Sequence, residues 1–227
     1  MSTAEQIKDS NLAERPAIPA QVSRTLLHVA WMSILLGLVI QALLMILAVG
    51  FTNASSVRPF IADLVQKVSW AAIVCVGIAL GSIVSQLRVP AMGLAGLLAA
   101  PLAFTIARVL HKTAAQALGI IFGSPSGLML FLVVALKAAE YGCLGAAIGW
   151  IQARQRGRAL AHAGIGLAAG IIFGGSIVAV MARLAAKPIP PADLVPRGLN
   201  ELLFPVGCSL VLYAADALNK RKAGLLG

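Results

Sequence analysis

Residues 128–150 read LMLFLVVALKAAEYGCLGAAIGW, a long apolar stretch that contains only two charged side chains. A helix needs about 20 apolar residues to cross the hydrocarbon core of a bilayer. The stretch contains no proline, and the next basic residue after it is Arg154. It therefore predicts a transmembrane helix over about residues 127–151.

Five further apolar blocks of similar length surround this one. The whole chain is 59% hydrophobic and only 11% charged, whereas a soluble domain is about 45–50% apolar and about 25% charged. A water-soluble fold could not bury so much apolar surface. The sequence predicts an all-α, polytopic transmembrane helical bundle of about six spans. Besides 127–151, we place spans at about 28–50, 68–87, 92–110, 163–184 and 199–218.

The predicted domain organisation is a single membrane domain over residues 28–218, flanked by two short tails. Residues 1–27 are polar and proline-containing, so we expect a disordered N-terminal tail in the cytoplasm. Residues 219–227 form a basic C-terminal tail, also expected in the cytoplasm. The first apolar block exceeds the roughly 7–15 residues of a signal-peptide core, so we expect it to remain as a span. Residues 111–126 could extend the third span, lie along the outer interface, or re-enter the membrane.

Clusters of basic residues orient the predicted bundle. Cytoplasmic loops are enriched in Lys and Arg, and short loops close to span ends count most. The tight clusters therefore predict that both termini are cytoplasmic, and we expect a multi-pass protein of a bacterial inner membrane. The same side chains are expected to contact anionic lipid headgroups. They are Arg154, Arg156, Arg158, Lys220, Arg221 and Lys222.

The formal net charge of +10 does not indicate a nucleic-acid-binding protein. Single-stranded nucleic acid is bound by basic grooves with exposed aromatic side chains, yet aromatic residues make up only 5% of this chain. The basic residues lie instead at the ends of apolar blocks. No nucleic-acid partner is expected.

A weak internal repeat relates the second and fourth spans. Cys75–Gly81 (CVGIALG) aligns without gaps on Cys143–Gly149 (CLGAAIG), and Gly207-Cys208 echoes the pattern more faintly. The repeat suggests three parallel helical hairpins, an arrangement known in transporters. Convergence is the alternative, because Gly, Ala and Leu dominate the chain and align easily.

Glycines recur at four-residue spacing in several spans. This spacing lets helix backbones approach closely in lipid. It could form a pore or an oligomer seam, but ordinary packing within the chain is the favoured interpretation. The series are Gly77/Gly81, Gly119/Gly123/Gly127, Gly145/Gly149 and Gly166/Gly170/Gly174.

Lys137 and Glu140 are the strongest functional signal. They lie roughly 25 Å and 21 Å along the helix from Arg154, at about 1.5 Å per residue. A charge at this depth costs at least about 2.5 kcal/mol, so it should face protein or water. The i, i+3 spacing places both on one helical face, where they can pair. They could form a structural clamp, or Glu140 could carry a proton or bind a cation while Lys137 controls its pKa.

Weaker polar signals surround this pair. Tyr141 follows Glu140 directly, and Gln41 lies in the middle of span one, so both join the pair as ion-path candidates. Asp63 with Lys67 is expected to form an i, i+4 pair at an interface. Asp216 and Lys220 have the same spacing and the same expected role.

No motif of a known catalytic or cofactor-binding chemistry is present in the sequence. The three cysteines lie in apolar segments without metal-ligand spacing, and the three histidines lie near span ends rather than paired at depth for haem. Residues 123–127 (GSPSG) are not a serine-hydrolase elbow. No cofactor or metal is expected, and a non-enzymatic role is favoured.

Two functional hypotheses remain open, with a lipid-acting membrane enzyme as a weaker third. The first is a small transporter or channel with Lys137 and Glu140 near its path, which predicts a polar cavity reaching Glu140. The second is a non-catalytic accessory subunit of a larger membrane complex. It predicts a buried, fully satisfied pair and an apolar or glycine-rich face for other subunits. A homo-oligomer is compatible with either hypothesis.

Overall fold

Six long helices make up the part of the chain that the structure describes. A computed structural model describes residues 20–51, 57–83, 87–120, 126–154, 158–185 and 188–225, and these contain no β-strand. The helices are α1 (Ala20–Phe51), α2 (Val57–Gly81), α3 (Arg88–Ala117), α4 (Gly127–Ala153), α5 (Ala159–Leu184) and α6 (Pro191–Leu225). Within α5, Gly170–Gly174 form a π-helical turn.

Each helix contains a segment long and apolar enough to cross a membrane. The predicted all-α bundle with six spans is therefore confirmed, and the chain is a multi-pass membrane protein by the length and composition of its helices. Many large apolar side chains point outward, such as Val39, Leu98 and Phe131, each more than 60% exposed. Outward apolar side chains are expected where the surrounding solvent is lipid.

Consecutive helices pack against each other, and α6 closes the bundle by contacting α1. Helix α6 also contacts α2 and α4, which places it against four of the other five helices. Short connections between neighbouring helices make the neighbours antiparallel. We call the end that carries Arg88, Arg154 and Arg158 the basic end, and the opposite end, near Ser126, the far end.

Glycines allow the tightest helix–helix contacts. A side chain at Gly96 would overlap the carbonyl of Tyr141, and one at Gly145 would overlap that of Met92. Backbones this close leave no room for a Cβ atom, and such contacts are common in membrane bundles. The glycines of these series pack α2 and α4 onto α3, and α5 onto α6. They are Gly77, Gly81, Gly145, Gly149, Gly166, Gly170 and Gly174. These glycines therefore lie at helix–helix contacts within the chain, as the favoured interpretation states.

The series Gly119/Gly123/Gly127 is not a helix seam. Gly119 has φ +73° in the turn that ends α3, a conformation that glycine adopts readily. Gly127 begins α4, and a Cβ there would meet nothing within 4 Å. Gly123 lies outside the described residues.

Several helices are longer than the apolar pattern predicts. Helix α1 begins at Ala20, so residues 20–27 are helical rather than part of a disordered tail, and the rest of that tail lies outside the described residues. Helix α3 continues to Ala117, so the start of the 111–126 segment extends the third span. Helix α6 runs to Leu225, through most of the predicted C-terminal tail. Backbone groups near the bilayer edge still need hydrogen-bond partners, and a helix provides them. The helices therefore continue beyond the last apolar residues of each span.

The second and sixth spans also begin earlier than predicted. Helix α2 starts at Val57, which places Asp63 and Lys67 inside it rather than outside the span. Within the proline-rich segment 185–198, α6 starts at Pro191. Proline suits the first turn of a helix because the N–H groups there have no acceptor within the helix, so its missing N–H group removes no hydrogen bond.

Candidate functional site

Three charged side chains meet inside the bundle, towards the far end. Lys137 Nζ donates a hydrogen bond of 2.9 Å to Glu140 Oε2 within α4, and a second, short one to Glu201 Oε2 of α6. Lys137 is 6% exposed and Glu140 is fully buried. The expected pairing of Lys137 with Glu140 is therefore formed, and Glu201 adds a carboxylate. We call these three residues the ion cluster.

The local fold around Glu201 depends on the π-helical turn in α5. Gly174, the last residue of this turn, packs directly onto the backbone of Glu201, and Gly170 packs onto Leu202. The two glycines let α6 lie close enough to α5 to hold Glu201 at the edge of the bundle core. Single π-helical turns occur frequently at functional sites.

Aromatic rings surround the ammonium group of Lys137. Its Nζ atom lies 5.4 Å from the ring centre of Trp70 and 5.5 Å from that of Tyr141, within the range of cation–π attraction. Trp70 Nε1 donates a hydrogen bond of 3.4 Å to the Tyr141 hydroxyl. Tyr141, predicted as a site residue, is fully buried at this position. The rings hold the ammonium between α2 and α4.

A second group of charges adjoins the ion cluster through Lys67. Lys67 interacts electrostatically with Asp63 and with Glu201. Asp63 Oδ1 lies 3.1 Å from His111 Nε2 on α3. Asp63 and Lys67 therefore interact electrostatically, but the expected i, i+4 ion pair is not among those formed within 4 Å by the described residues. Asp63 instead contacts His111 on a neighbouring helix, and Lys67 also interacts with Glu201 across the bundle.

The charges of this network differ in burial. Glu140 and Glu201 share the ammonium of Lys137, and Lys67 interacts electrostatically with Glu201. The side chain of Asp63 is 44% exposed. Glu140 Oε1 is buried and accepts no hydrogen bond within the described residues. A buried charge without a counter-charge is costly, so Glu140 depends on the ammonium of Lys137, the partner of its other oxygen.

Gln41 lies apart from the ion cluster. It is 4% exposed on α1, and its Nε2 donates a weak hydrogen bond of 3.4 Å to the Phe60 carbonyl of α2. Its Oε1 is buried and has no hydrogen-bond partner in the described part of the chain. No described hydrogen bond or ion pair connects Gln41 with Lys137 or Glu140.

The predicted lipid contacts lie at the basic end. Arg154 is exposed and its guanidinium stacks 4.0 Å from the ring centre of Trp150. Arg158 is also exposed. Arg156 lies outside the described residues, and the last turns of α6 carry Lys220, Arg221 and Lys222, whose side chains are not described.

A cavity of about 340 Å³ opens at the basic end, and we call it the basic cavity. None of the three ion-cluster residues lines it. Along α4, Leu144 and Ile148 lie between Glu140 and the cavity residue Gln152, and both are buried. The cavity is lined by Val22, Thr25, Leu26, Val29, Ala79, Ser82, Ile83, Arg88, Met92, Gln152, Leu212, Ala215 and Asp216.

Sequence reasoning missed Glu201, Trp70 and the polar lining of the basic cavity. Glu201 is an acidic residue within the predicted span 199–218, so the criterion that selected Glu140 could have found it. Trp70 gave no comparable signal, because an aromatic residue in a span is ordinary. The cavity depends on five helices meeting at one end, and no local pattern encodes that.

No protein-family model matches this chain, and no curated protein or solved structure is similar to it at a significant level. The described residues contain no cluster of three or more His, Cys, Asp or Glu that could hold a metal ion. The side chains that meet at the site are one ammonium group and two carboxyl groups.

Proposed function

We propose that this chain is a transporter-type membrane protein whose ion cluster carries a proton or a small cation. One observation supports the proposal above all: two carboxylates within the spans, those of Glu140 and Glu201, share the ammonium group of Lys137. Ionisable groups at membrane depth are by default candidates for a functional site.

Lys137 is placed to act as a switch between two carboxylates. It bonds Glu140 on its own helix and Glu201 on α6, so either contact can weaken while the other holds. Protonation of one carboxyl group would remove its attraction for the ammonium and favour the other pairing. Small rearrangements of α6 against α4 would then follow the protonation state.

The basic cavity does not reach Glu140, so it is not the polar cavity that the transport hypothesis predicts. The basic cavity opens at one end, the ion cluster lies towards the other, and buried Leu144 and Ile148 separate them along α4. A site closed from one side and a cavity open on the other fit alternating access. In this proposal, the structure represents the form in which Glu140 is shielded from the basic end.

The proposal includes the orientation and surroundings of the protein. The basic end faces the cytoplasm of a bacterial cell, both termini lie on that side, and the protein resides in the inner membrane. Arg154 and Arg158 contact anionic headgroups there, because exposed basic residues at span ends are attracted to them.

The proposal is tested by following carboxyl protonation and ion flux in the same variants. Infrared titration in lipid nanodiscs reports a protonated carboxyl group through its C=O stretch. We expect a band that is weakened or lost in Glu140→Gln and in Glu201→Gln. Asp193→Asn removes an exposed carboxylate from the start of α6 and serves as the matched control.

Flux is measured in liposomes with an enclosed pH dye, an imposed potassium diffusion potential, and parallel assays with sodium and potassium. Wild type and Asp193→Asn should show uptake of one of these ions, and Glu140→Gln should abolish it. The proposal is wrong if Glu140→Gln and Glu201→Gln behave like the control in both the infrared and the flux measurements.

A second candidate function is an accessory subunit, and the full coordination of Lys137 favours it. The ammonium has two carboxylate partners and two flanking rings, which is also how a structural clamp would be built. The glycine rows are used within the chain, so a partner would dock on an apolar face. Purification at native expression level, followed by mass spectrometry, would show partner subunits in fixed ratio if this function is correct.

A further inference from the structure

The basic cavity is large enough to hold a small ligand. Its volume of about 340 Å³ lies within the roughly 300–1,000 Å³ typical of small-molecule pockets. It is bounded by the starts of α1 and α3 and by the ends of α2, α4 and α6. Because spans begin and end there, the cavity lies at the depth where lipid headgroups meet the hydrocarbon.

Two polar side chains of the cavity have no hydrogen-bond or ion-pair partner among the described residues. Arg88 forms no ion pair with a carboxylate of the described residues, and its Nε is buried without a hydrogen bond. Gln152 is only 6% exposed, lines the cavity, and makes no side-chain hydrogen bond within the described part. Buried polar groups normally find a partner. Both groups can donate hydrogen bonds to a ligand that enters the cavity.

The backbone adds positive potential at the same place. Arg88 is the first residue of α3, and Leu87 before it provides no side-chain cap. The positive end of the helix dipole therefore lies beside the guanidinium, and this combination favours an anion. Gly149 on α4 lies against Arg88, which brings Gln152, one turn further on, to the same wall.

Asp216 is the acidic residue of the lining. It has an interaction of its own and does not pair with Arg88. Thr25 is likewise engaged elsewhere, and the hydroxyl of Ser82 donates to the Ala79 carbonyl at 2.6 Å. The guanidinium of Arg88 is therefore left to face the cavity without a carboxylate against it.

The remaining walls of the cavity are apolar. Val29 and Met92 are fully buried, and Leu26 and Leu212 complete the lining on α1 and α6. A ligand that fits has an anionic head for the polar wall and an apolar part for the others. A guanidinium matches the oxygens of a phosphate with two parallel hydrogen bonds.

We propose that the basic cavity binds a phosphate-bearing amphiphile, with the phosphate on Arg88 and Gln152. The phosphate can belong to a lipid headgroup or to a soluble phosphate ester, since both present the same oxygens. The site shares no residue with the ion cluster, so this inference does not rest on the proposed function.

Native mass spectrometry of the detergent-solubilised full chain tests the site. The probes are dioleoyl phosphatidylglycerol, dioleoylglycerol, which lacks the phosphate, and glycerol 3-phosphate. The variants are Arg88→Gln and Gln152→Leu, with Arg183→Gln as the matched control. Arg183 is exposed in the last turn of α5 and outside the cavity lining, and its variant carries the same loss of charge.

We expect the wild type and Arg183→Gln each to bind one phosphatidylglycerol molecule saturably. Its affinity should fall about ten- to hundredfold in Arg88→Gln, as expected for losing a charged hydrogen-bond partner. Saturable binding of glycerol 3-phosphate with the same loss in Arg88→Gln would also support the site and identify a soluble ester as the ligand class. Equal retention of phosphatidylglycerol and dioleoylglycerol, or equal effects of Arg88→Gln and Arg183→Gln, would overturn the proposal.

Arg88→Lys keeps the experiment decisive if Arg88→Gln does not fold. Lysine retains the positive charge but cannot present the planar pair of donors of a guanidinium. The lysine variant should therefore fold and bind the phosphate probe more weakly than wild type. Binding unchanged in both Arg88→Lys and Gln152→Leu would contradict the proposed contacts.

Discussion

Lys137 on α4 donates a hydrogen bond to Glu201 on α6, a residue 64 positions further along the chain. Together with the bond to Glu140, this contact connects two helices through buried charges. Lys137→Met would leave both carboxylates buried without their shared cation. Breaking a buried ion pair on one side costs about 3–5 kcal/mol, so we expect the free energy of unfolding in mixed micelles to fall by about that amount.

Two further variants show whether the fall in the free energy of unfolding comes from the broken ion pairs or only from the loss of a positive charge. Lys112→Met on α3 removes an exposed ammonium and should change the free energy of unfolding little. The triple variant Lys137→Met, Glu140→Leu, Glu201→Leu replaces the whole ion cluster with apolar groups, which is often neutral in stability. Recovery of most of the lost stability in the triple variant would confirm that uncompensated charge causes the loss. A triple variant as unstable as Lys137→Met would contradict this explanation.

The contact between α3 and α4 depends on glycines at Gly96 and Gly145. A Cβ at either position would overlap a backbone carbonyl of the facing helix. We expect Gly96→Ala and Gly145→Ala each to lower the free energy of unfolding by about 1–3 kcal/mol, the usual cost of overpacking. Thermal unfolding in detergent measures the effect.

Gly164 provides the control for this prediction. It lies in α5, and a Cβ there meets nothing within 4 Å. Gly164→Ala should be neutral or stabilising by up to about 1 kcal/mol, because alanine favours the helix. If all three alanine variants behaved alike, close backbone approach would not be the determinant of stability.

The sequence predicts the number and placement of the spans because the hydrophobic requirement of a bilayer acts on each segment separately. The helix ends are less predictable. Three segments that carry charges are nevertheless helical: residues 20–27, 57–67 and 111–117. Helical hydrogen bonds satisfy the backbone groups of these segments even where the side chains are no longer apolar. Apolarity indicates where a helix must cross but not where it stops.

The site is predictable only within one helix. Lys137 and Glu140 are neighbours on α4 at i, i+3, so local spacing is enough to pair them. Glu201 reaches them only because α6 packs against α4, and Gly174 fixes that position from α5. The opening beside Arg88 depends on five helices at once. Contacts between distant segments follow from tertiary packing, which a single sequence does not reveal.

The orientation of the bundle is tested by cysteine accessibility in intact cells. In a background without Cys75, Cys143 and Cys208, Ser126→Cys lies at the far end and Arg158→Cys at the basic end. We expect a membrane-impermeant maleimide to label Ser126→Cys in intact cells and Arg158→Cys only after permeabilisation. The physical reason is the retention of basic loops in the cytoplasm.

Labelling after permeabilisation provides the control, since both variants must then react. The opposite pattern in intact cells would invert the proposed orientation and place the basic cavity on the outer side. Labelling of both positions in intact cells would mean that the two ends are not separated by a membrane, which contradicts the six-span arrangement.

Substitution of Gln41 tests whether this buried polar side chain serves function or structure. Its Oε1 is buried without a partner, and its Nε2 makes only a weak hydrogen bond with the Phe60 carbonyl. A buried acceptor without a partner costs about 1–3 kcal/mol, whereas an apolar side chain of similar shape avoids this cost. We therefore expect Gln41→Leu to raise the free energy of unfolding by about 1 kcal/mol, measured in the same micelles as the Lys137 variants.

Ser33→Ala is the matched control on the same helix. Ser33 is also fully buried, but its hydroxyl already donates to the Val29 carbonyl at 2.6 Å. Removing a satisfied group should leave stability unchanged or slightly lower. If Gln41→Leu were destabilising by more than Ser33→Ala, its amide would contribute to packing. A third outcome is that Gln41→Leu is more stable than wild type and also loses ion flux. That result would mean that the polar side chain lowers stability but is needed for flux. Gln41 would then belong to the ion path, although it makes no described contact with Lys137.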